Sequence, residues 1–257
     1  MATCLSGAAA AAGGLLTDGS ARRWLCAGVI AAYLIVVGLG VAFIQLSFFG
    51  KAFCRGKPGA MRAALTFDDG PDPAATPRLL DVLADLRAPA TFFCVGERVR
   101  ACPEIVRRAA AEGHALGNHS QRHAWWTNFL VGRGLRDEIA RAQEAIGATT
   151  GFAPAHYRSP MGLTNPHLPG ALAKLGLTLV GWDVRALDRG ARPEEVVGRI
   201  LSKVRDGSIV LLHDGGADPD TLVAAVRGAV RGLRERGYAL VRVGELMGDP
   251  TSAEGQK

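Results

Sequence analysis

The stretch RAALTFDDGP, residues 62–71, runs an apolar segment straight into two adjacent carboxylates and a Gly-Pro turn. A short apolar run closed by turn residues reads as a buried strand, so Asp68 and Asp69 stand at its carboxyl end. A turn needs only one Asp, and neighbouring like charges repel unless a cation lies beside them. The second carboxylate therefore points beyond a turn.

The same alternation continues to the end of the chain. RAALTF (62–67), ATFFCV (90–95), HALG (114–117), AHYR (155–158), LTLVGW (177–182), SIVLL (208–212) and YALVRV (238–243) are seven candidate strands. Between them lie amphipathic stretches such as TPRLLDVLADLR, PEIVRRAAAEG and PEEVVGRILSKVRDG, several opening on Pro and closing on Gly as helix ends prefer. Strands alternating with helices predict an α/β fold around a parallel sheet. Seven repeats over residues 62–247 predict a distorted (β/α)7-type barrel, with an open doubly wound sheet as the alternative. No Gly-rich phosphate loop follows the first strand, which argues against a nucleotide site.

The conspicuous polar residues fall after those strands. Asp68 and Asp69 follow the first, His119 and His123 the third, Arg158 ends the fourth, Asp183 and Asp188 follow the fifth, and His213 and Asp214 the sixth. Carboxyl ends share one face of a parallel barrel, and active sites are built there. Singly, each has a bland reading: an Asp-Gly-Pro turn, surface or core histidines, helix caps, a solvated arginine. Jointly they form a metal site. In HSQRH (119–123), read as a helix start, two imidazoles at i and i+4 share a face. With one carboxylate they make a three-ligand set with an open position, as catalytic Zn²⁺ requires. The second carboxylate can then take a proton from water, Arg158 can hold it in place, and His213, kept protonated by Asp188, can act as an acid.

TFDDGP, HSQRH, RSPMG (158–162), GWDVRALD (181–188) and LLHD (211–214), in that order, resemble the five motifs of the polysaccharide deacetylases, carbohydrate esterase family 4, with the NodB-type domain. The resemblance spans about residues 60–247. It implies that Asp69, His119 and His123 bind one divalent metal, Zn²⁺ by ligand type, with Co²⁺, Ni²⁺ or Mn²⁺ as alternatives. It implies Asp68 as general base paired with Arg158, and His213 as general acid tuned by Asp188. The backbone N–H of Met161 would stabilise the oxyanion, and Leu211 and Trp182 would line the substrate pocket. The implied reaction is hydrolysis of N-acetyl groups on an N-acetylglucosamine polymer, with peptidoglycan the first expectation. An O-acetyl esterase on xylan-like or other exopolysaccharide, a catalytically silent carbohydrate-binding domain and a non-haem iron oxygenase are the rivals. Three positions depart from the pattern: Arg189 where the family carries Trp, Arg185 where it carries an Asp, and Met161 where it carries an aromatic residue. They bear on substrate preference.

Composition sets the remaining bounds. The chain has 257 residues, 48% of them hydrophobic, room for one catalytic-size core. Its net charge of +6 comes from scattered Arg rather than a basic block with interleaved aromatics, so no nucleic-acid partner is expected. Five Cys show no CxxC spacing; Cys94 reads as a free buried thiol, with a Cys94–Cys102 bridge as the alternative. Residues 1–23 read as a disordered Ala/Gly-rich segment. Residues 24–50 are uncharged and long enough to span a bilayer, 51–61 read as a linker, and 248–257 as a flexible tail. The apolar stretch is too long for a signal peptide and lacks a small-residue cleavage site. A single-pass cell-membrane protein with an extracytoplasmic catalytic domain is the expectation, on the grounds of substrate location. Lys51, Arg55, Lys57 and Arg62 against Arg22 and Arg23 oppose that orientation by the positive-inside rule.

Overall fold

The computed structural model describes residues 19–248; the expected N-terminal segment up to residue 18, and the tail from residue 249, lie outside the described residues. All seven expected strands are present: β1 Arg62–Asp68, β2 Thr91–Cys94, β3 Ala115–Asn118, β4 His156–Tyr157, β5 Thr178–Leu179, β7 Ser208–His213 and β8 Ala239–Leu240. An eighth, β6 Val184–Arg185, was not expected. Two residues carry no periodicity, and this strand exists through its parallel pairing with β7, Val184 opposite Val210 and Arg185 opposite Leu211. The order is β5-β4-β3-β2-β1-β7-β6, with β8 added beside β1 and every pairing parallel.

The sheet curls into an open (β/α)7-type barrel, and alternation along each strand sorts its side chains. On β1, Ala63, Leu65 and Phe67 join the outer core, whereas Ala64 joins the inner one. Asp68 has the parity of Ala64 and so faces the interior. On β7 the same rule sends Val210 and Leu212 outward, and Ile209 and Leu211 inward with His213 next in register. Against the outer face pack α2 Ala75–Asp85, α4 Pro103–Ala111, α7 Pro193–Lys203 and α8 Pro219–Glu235; α3 Gly96–Ala101, α5 Gly132–Thr150, α6 Leu168–Leu175 and α9 Val243–Met247 complete the domain. Cys94 is buried with a free thiol, and its burial raises its pKa.

The N-terminal boundaries differ from expectation. Helix α1 runs Gly19–Ala42, so residues 19–23 are helical rather than disordered. At about 1.5 Å per residue it is some 36 Å long, enough for a hydrocarbon core of about 30 Å. It stops at Ala42 rather than residue 50. Ser47 adopts a left-handed conformation after the 3₁₀ turn Ile44–Leu46, and Ile44 is buried in the barrel's inner core. Burying that one apolar side chain in protein turns the chain out of the helix axis. The expected linker is likewise bonded to the barrel at its start. Phe53 pairs with Val180 just after β5, and Arg55 with Ser208 at the start of β7, so this segment links those two strands.

Candidate active site

Arg158 is the fully buried centre of the site, not a surface charge. Its Nη1 donates to Asp68 Oδ1 and to Thr66 Oγ1, both at 2.7 Å, and its Nη2 donates to the Gly181 carbonyl at 2.9 Å. The guanidinium lies 4.1 Å from the Phe93 ring centroid and 5.7 Å from that of Trp182. A buried cation survives only when its donors and its charge are matched, and here both are. One oxygen of Asp68 is thereby occupied; the other, Oδ2, lies 3.8 Å from His119 Nε2.

His119 and His123 meet as expected, their ring centroids 4.8 Å apart, but not on a helix. Residues 119–124 form a loop, with Ser120 at φ 67 and His123 at φ 54. Asn118 Oδ1 accepts from Ser120 N–H at 2.9 Å, and Ser120 Oγ accepts from His123 N–H at 3.0 Å. These side-chain acceptors offer the backbone a turn in place of a helical turn. Asp69, itself at φ 72, places Oδ1 at 3.3 Å from His119 Nε2 and 3.0 Å from His123 Nε2.

The chemistry of this donor set tests whether a cation fits. His119 Nδ1 lies 2.8 Å from the Arg158 carbonyl, which can only accept, so Nδ1 carries the proton. In the neutral ring Nε2 is then a bare lone pair facing the Asp69 carboxylate. Burial, reinforced by His119, pushes the His123 pKa down and favours its neutral form. Burial alone would raise Asp69, but the hydrogen bond and charge that His119 presents when protonated, with those of His123 and His213, hold it well below the usual carboxylate range, so with both rings neutral Asp69 needs another positive partner at this point. One ligand atom from each of the three lies within 4.8 Å of the others, and lone pairs converging without protons between them suit a divalent metal.

Across the cleft, His213 Nδ1 lies 2.9 Å from Asp188 Oδ1, and its backbone N–H donates to Asp188 Oδ2 at 2.7 Å. Burial presses His213 toward neutrality, yet the hydrogen bond and charge of Asp188, aided by Asp68 and Asp69, prevail and its pKa is raised. Met161, at φ 58 in the 3₁₀ turn Pro160–Gly162, shares the cleft of about 280 Å³ with Trp182, Leu211, His213, the Asp68–Asp69 pair and the two histidines His119 and His123. Asp183 is elsewhere in role. It lies before β6 and accepts from Ile209 N–H and Ser208 Oγ, both at 2.8 Å, holding β7 in place. Asp214 is buried beside Gly70, accepts from Thr76 Oγ1 at 2.5 Å, and is pushed up to about 7 by burial.

Three arginines stand at the site; the sequence reading ties Arg189 and Arg185 to substrate preference only and does not single out Arg98. Arg189 Nη2 donates to Asp69 Oδ2 and, at 3.0 Å, to the Gly215 carbonyl. Arg98 Nη1 donates to the Asp69 carbonyl at 2.6 Å, and Arg185 lines the cleft. The Arg189 departure from pattern was visible; its partner, 120 positions away, was not.

A family profile described as polysaccharide deacetylase matches residues 55–180. A chitooligosaccharide deacetylase of Bradyrhizobium sp. (strain ANU 289) is 37% identical over 196 residues, covering 71% of this chain and 89% of its own. A peptidoglycan-N-acetylglucosamine deacetylase of Bacillus cereus is 36% identical over 187 residues, covering 72% and 87%. The crystal structure of the Bc1960 peptidoglycan N-acetylglucosamine deacetylase superposes with a TM-score of 0.71 at 30% identity, covering 76% of this chain and 91% of that one.

Proposed function

The chain belongs to the polysaccharide deacetylase family, and from that premise we propose that it hydrolyses N-acetyl groups of N-acetylglucosamine in peptidoglycan. The observation that carries this reading is one cleft holding three convergent metal-type donors, a carboxylate fixed by a buried arginine, and a histidine–aspartate pair.

Asp69, His119 and His123 would hold a divalent metal, which when bound polarises the acetyl carbonyl and makes water a better nucleophile. Asp68, oriented by Arg158, takes a proton from the attacking water. The water oxygen adds to the carbonyl carbon, and the Met161 N–H donates to the oxyanion that develops. His213 then gives a proton to the amide nitrogen as the carbon–nitrogen bond breaks, releasing acetate and a free amine. Asp188 keeps His213 in the charged form that this step needs. Leu211 and Trp182 supply apolar walls for the acetyl methyl and the sugar ring.

Peptidoglycan lies outside the membrane, so we place α1 across the bilayer with its N-terminus in the cytoplasm. The opposing charge count is smaller than the sequence suggests. Arg55 Nε and Arg62 Nη1 donate to the carbonyls of Asp206 and Glu245, so both belong to the folded domain rather than to a free loop.

The test is acetate release by the full chain in detergent, from peptidoglycan and from N-acetylglucosamine oligomers, with added Zn²⁺ and after chelation. Release that is lost on chelation and in His119→Ala is the expected result. A metal-loaded chain that releases acetate only from O-acetylated xylan would overturn the assignment.

A further inference from the structure

The loop that carries Met161 is also where α1 ends. Thr164 donates through its N–H to the Val41 carbonyl at 3.0 Å and through its hydroxyl to the Gly40 carbonyl at 2.9 Å. Gln45 Nε2 donates to the carbonyl of Trp182 at 3.2 Å. The apolar helix therefore meets the barrel at its carboxyl-end face, against two walls of the cleft.

On the other side of the loop, Asn128 Nδ2 donates to the Pro160 carbonyl at 3.4 Å, and Asn165 Nδ2 to the Asn128 carbonyl at 3.0 Å. These bonds fix the 3₁₀ turn Trp125–Phe129 beside the mouth. Trp125 and Phe129 are 70% and 72% exposed, their rings 6.0 Å apart, and Met161, Phe43 and Leu46 are about half exposed. A single domain in water has no reason to collect such residues at one rim. Next to them, a cleft of about 310 Å³ between the start of α5 and α6 is lined by Arg133, Arg136, His167 and Lys174. Pro169 on α6 packs against Gly50, which ties this cleft to the same side of the molecule as the end of α1. Among the described residues neither Arg133 nor Lys174 has an acidic partner.

Exposed aromatics together with unpaired cations, continuous with the end of a membrane-length helix, are the composition of a bilayer interface. We propose that this rim and basic cleft seat the catalytic domain directly on an anionic lipid surface, with the mouth of the site at headgroup level. The substrate is then the N-acetylated glycan at the membrane surface, not polymer further out in the wall. The docking rests on α1 spanning the bilayer, and the statement about substrate rests on the deacetylase reading.

The experiment uses the full chain in nanodiscs of phosphatidylglycerol with and without brominated acyl chains, read by tryptophan fluorescence. The emission lost on Trp24→Phe reports the helix, and that lost on Trp125→Phe reports the rim. Bromination is expected to quench both shares, that of Trp125 by roughly twofold or more for a ring at the headgroup and acyl boundary. Quenching of the Trp24 share alone overturns the proposal, because the domain then stands clear of the lipid. Quenching of neither share overturns it together with the membrane reading. The Arg133→Glu, Lys174→Glu double variant is expected to lose quenching of the Trp125 share while acetate release from soluble oligomers stays at the wild-type rate. Unchanged quenching in that variant overturns the role of the basic cleft. Acetate release from soluble oligomers reports the deacetylase reading separately: its absence, with quenching of both shares intact, strikes that reading and leaves the docking standing.

Discussion

Arg158 illustrates what a single residue settles. It neutralises Asp68, bonds Thr66 and the Gly181 carbonyl, and stacks on Phe93, so replacing it leaves a buried carboxylate without its partner. Arg158→Leu is expected to lower stability by about 3–5 kcal/mol in urea unfolding, the usual cost of breaking a buried pair. Arg158→Lys retains the charge but not the planar fork, and should recover part of the stability and little of the activity. His213 is governed by its neighbour in the same way. Asp188 is what outweighs burial and raises its pKa. A group with a raised pKa keeps its proton to higher pH, so the alkaline limb of kcat/KM should move to lower pH in Asp188→Asn. An unmoved limb in a pH profile would show that His213 is not the acid. Arg158 was legible as a polar residue ending a strand, but its complete burial was not. That depends on Val180, Gly181 and Trp182 closing over it from an element more than 20 positions away.

Elements decide where these residues stand, and the two His elements differ in how well the sequence announces them. An i, i+4 spacing suggests a helical turn. Asn118 and Ser120 instead supply side-chain acceptors that stabilise a loop with two left-handed residues, and the rings meet all the same. Spacing alone does not distinguish the two, because both bring residues 119 and 123 together. His114, just before β3, shows a stability consequence of element packing. Its Nδ1 accepts from Ala90 N–H at 3.2 Å just ahead of β2, and burial, with the charges of Arg242 and Arg108, lowers its pKa to about 4. Glu112, 3.9 Å from Nε2, does not reverse this. A depressed pKa means that the unfolded chain binds the proton more readily between about pH 4 and pH 6.5. The contribution of His114 is therefore present above about pH 6.5 and lost as pH falls toward about 4, a span worth about 3 kcal/mol at 1.4 kcal/mol per unit. His114→Gln, which keeps an acceptor for Ala90, should flatten thermal stability against pH across that window. An unchanged slope would assign the acid sensitivity to another group.

At the scale of the molecule, the three-donor set links metal to folding. Asp69 follows β1, whereas His119 and His123 follow β3, so the full set exists only when both strands are paired with β2. A ligand that binds only the native state adds about 4 kcal/mol at a thousandfold excess over Kd, which for a domain of this size is on the order of 10 °C in Tm. Zn²⁺ is expected to raise the Tm of the wild type and of His213→Ala, and not that of His119→Ala. A Zn²⁺-dependent shift that persists in His119→Ala would place the ion elsewhere. Helix α1 belongs to this scale as well. Its end is bonded to the loop of Met161, so the direction in which α1 leaves the barrel is set by protein contacts.

The sequence by itself determined the strands and helices, the face on which the polar residues gather and the donor types available, because strand periodicity and turn chemistry are local. Period-two alternation alone puts Asp68, Leu211 and His213 on one inner surface once their strands are known. Only the tertiary structure decided that residues 119–123 form a loop, that Val184–Arg185 becomes a strand, that Arg189 bonds Asp69, and that the apolar helix ends on the cleft. The strand, the Arg189 bond and the end of the helix depend on atoms brought together from segments far apart in the chain, and no local pattern encodes that distance; the loop depends on local side-chain acceptors outcompeting a helical turn, which the i, i+4 spacing leaves undecided.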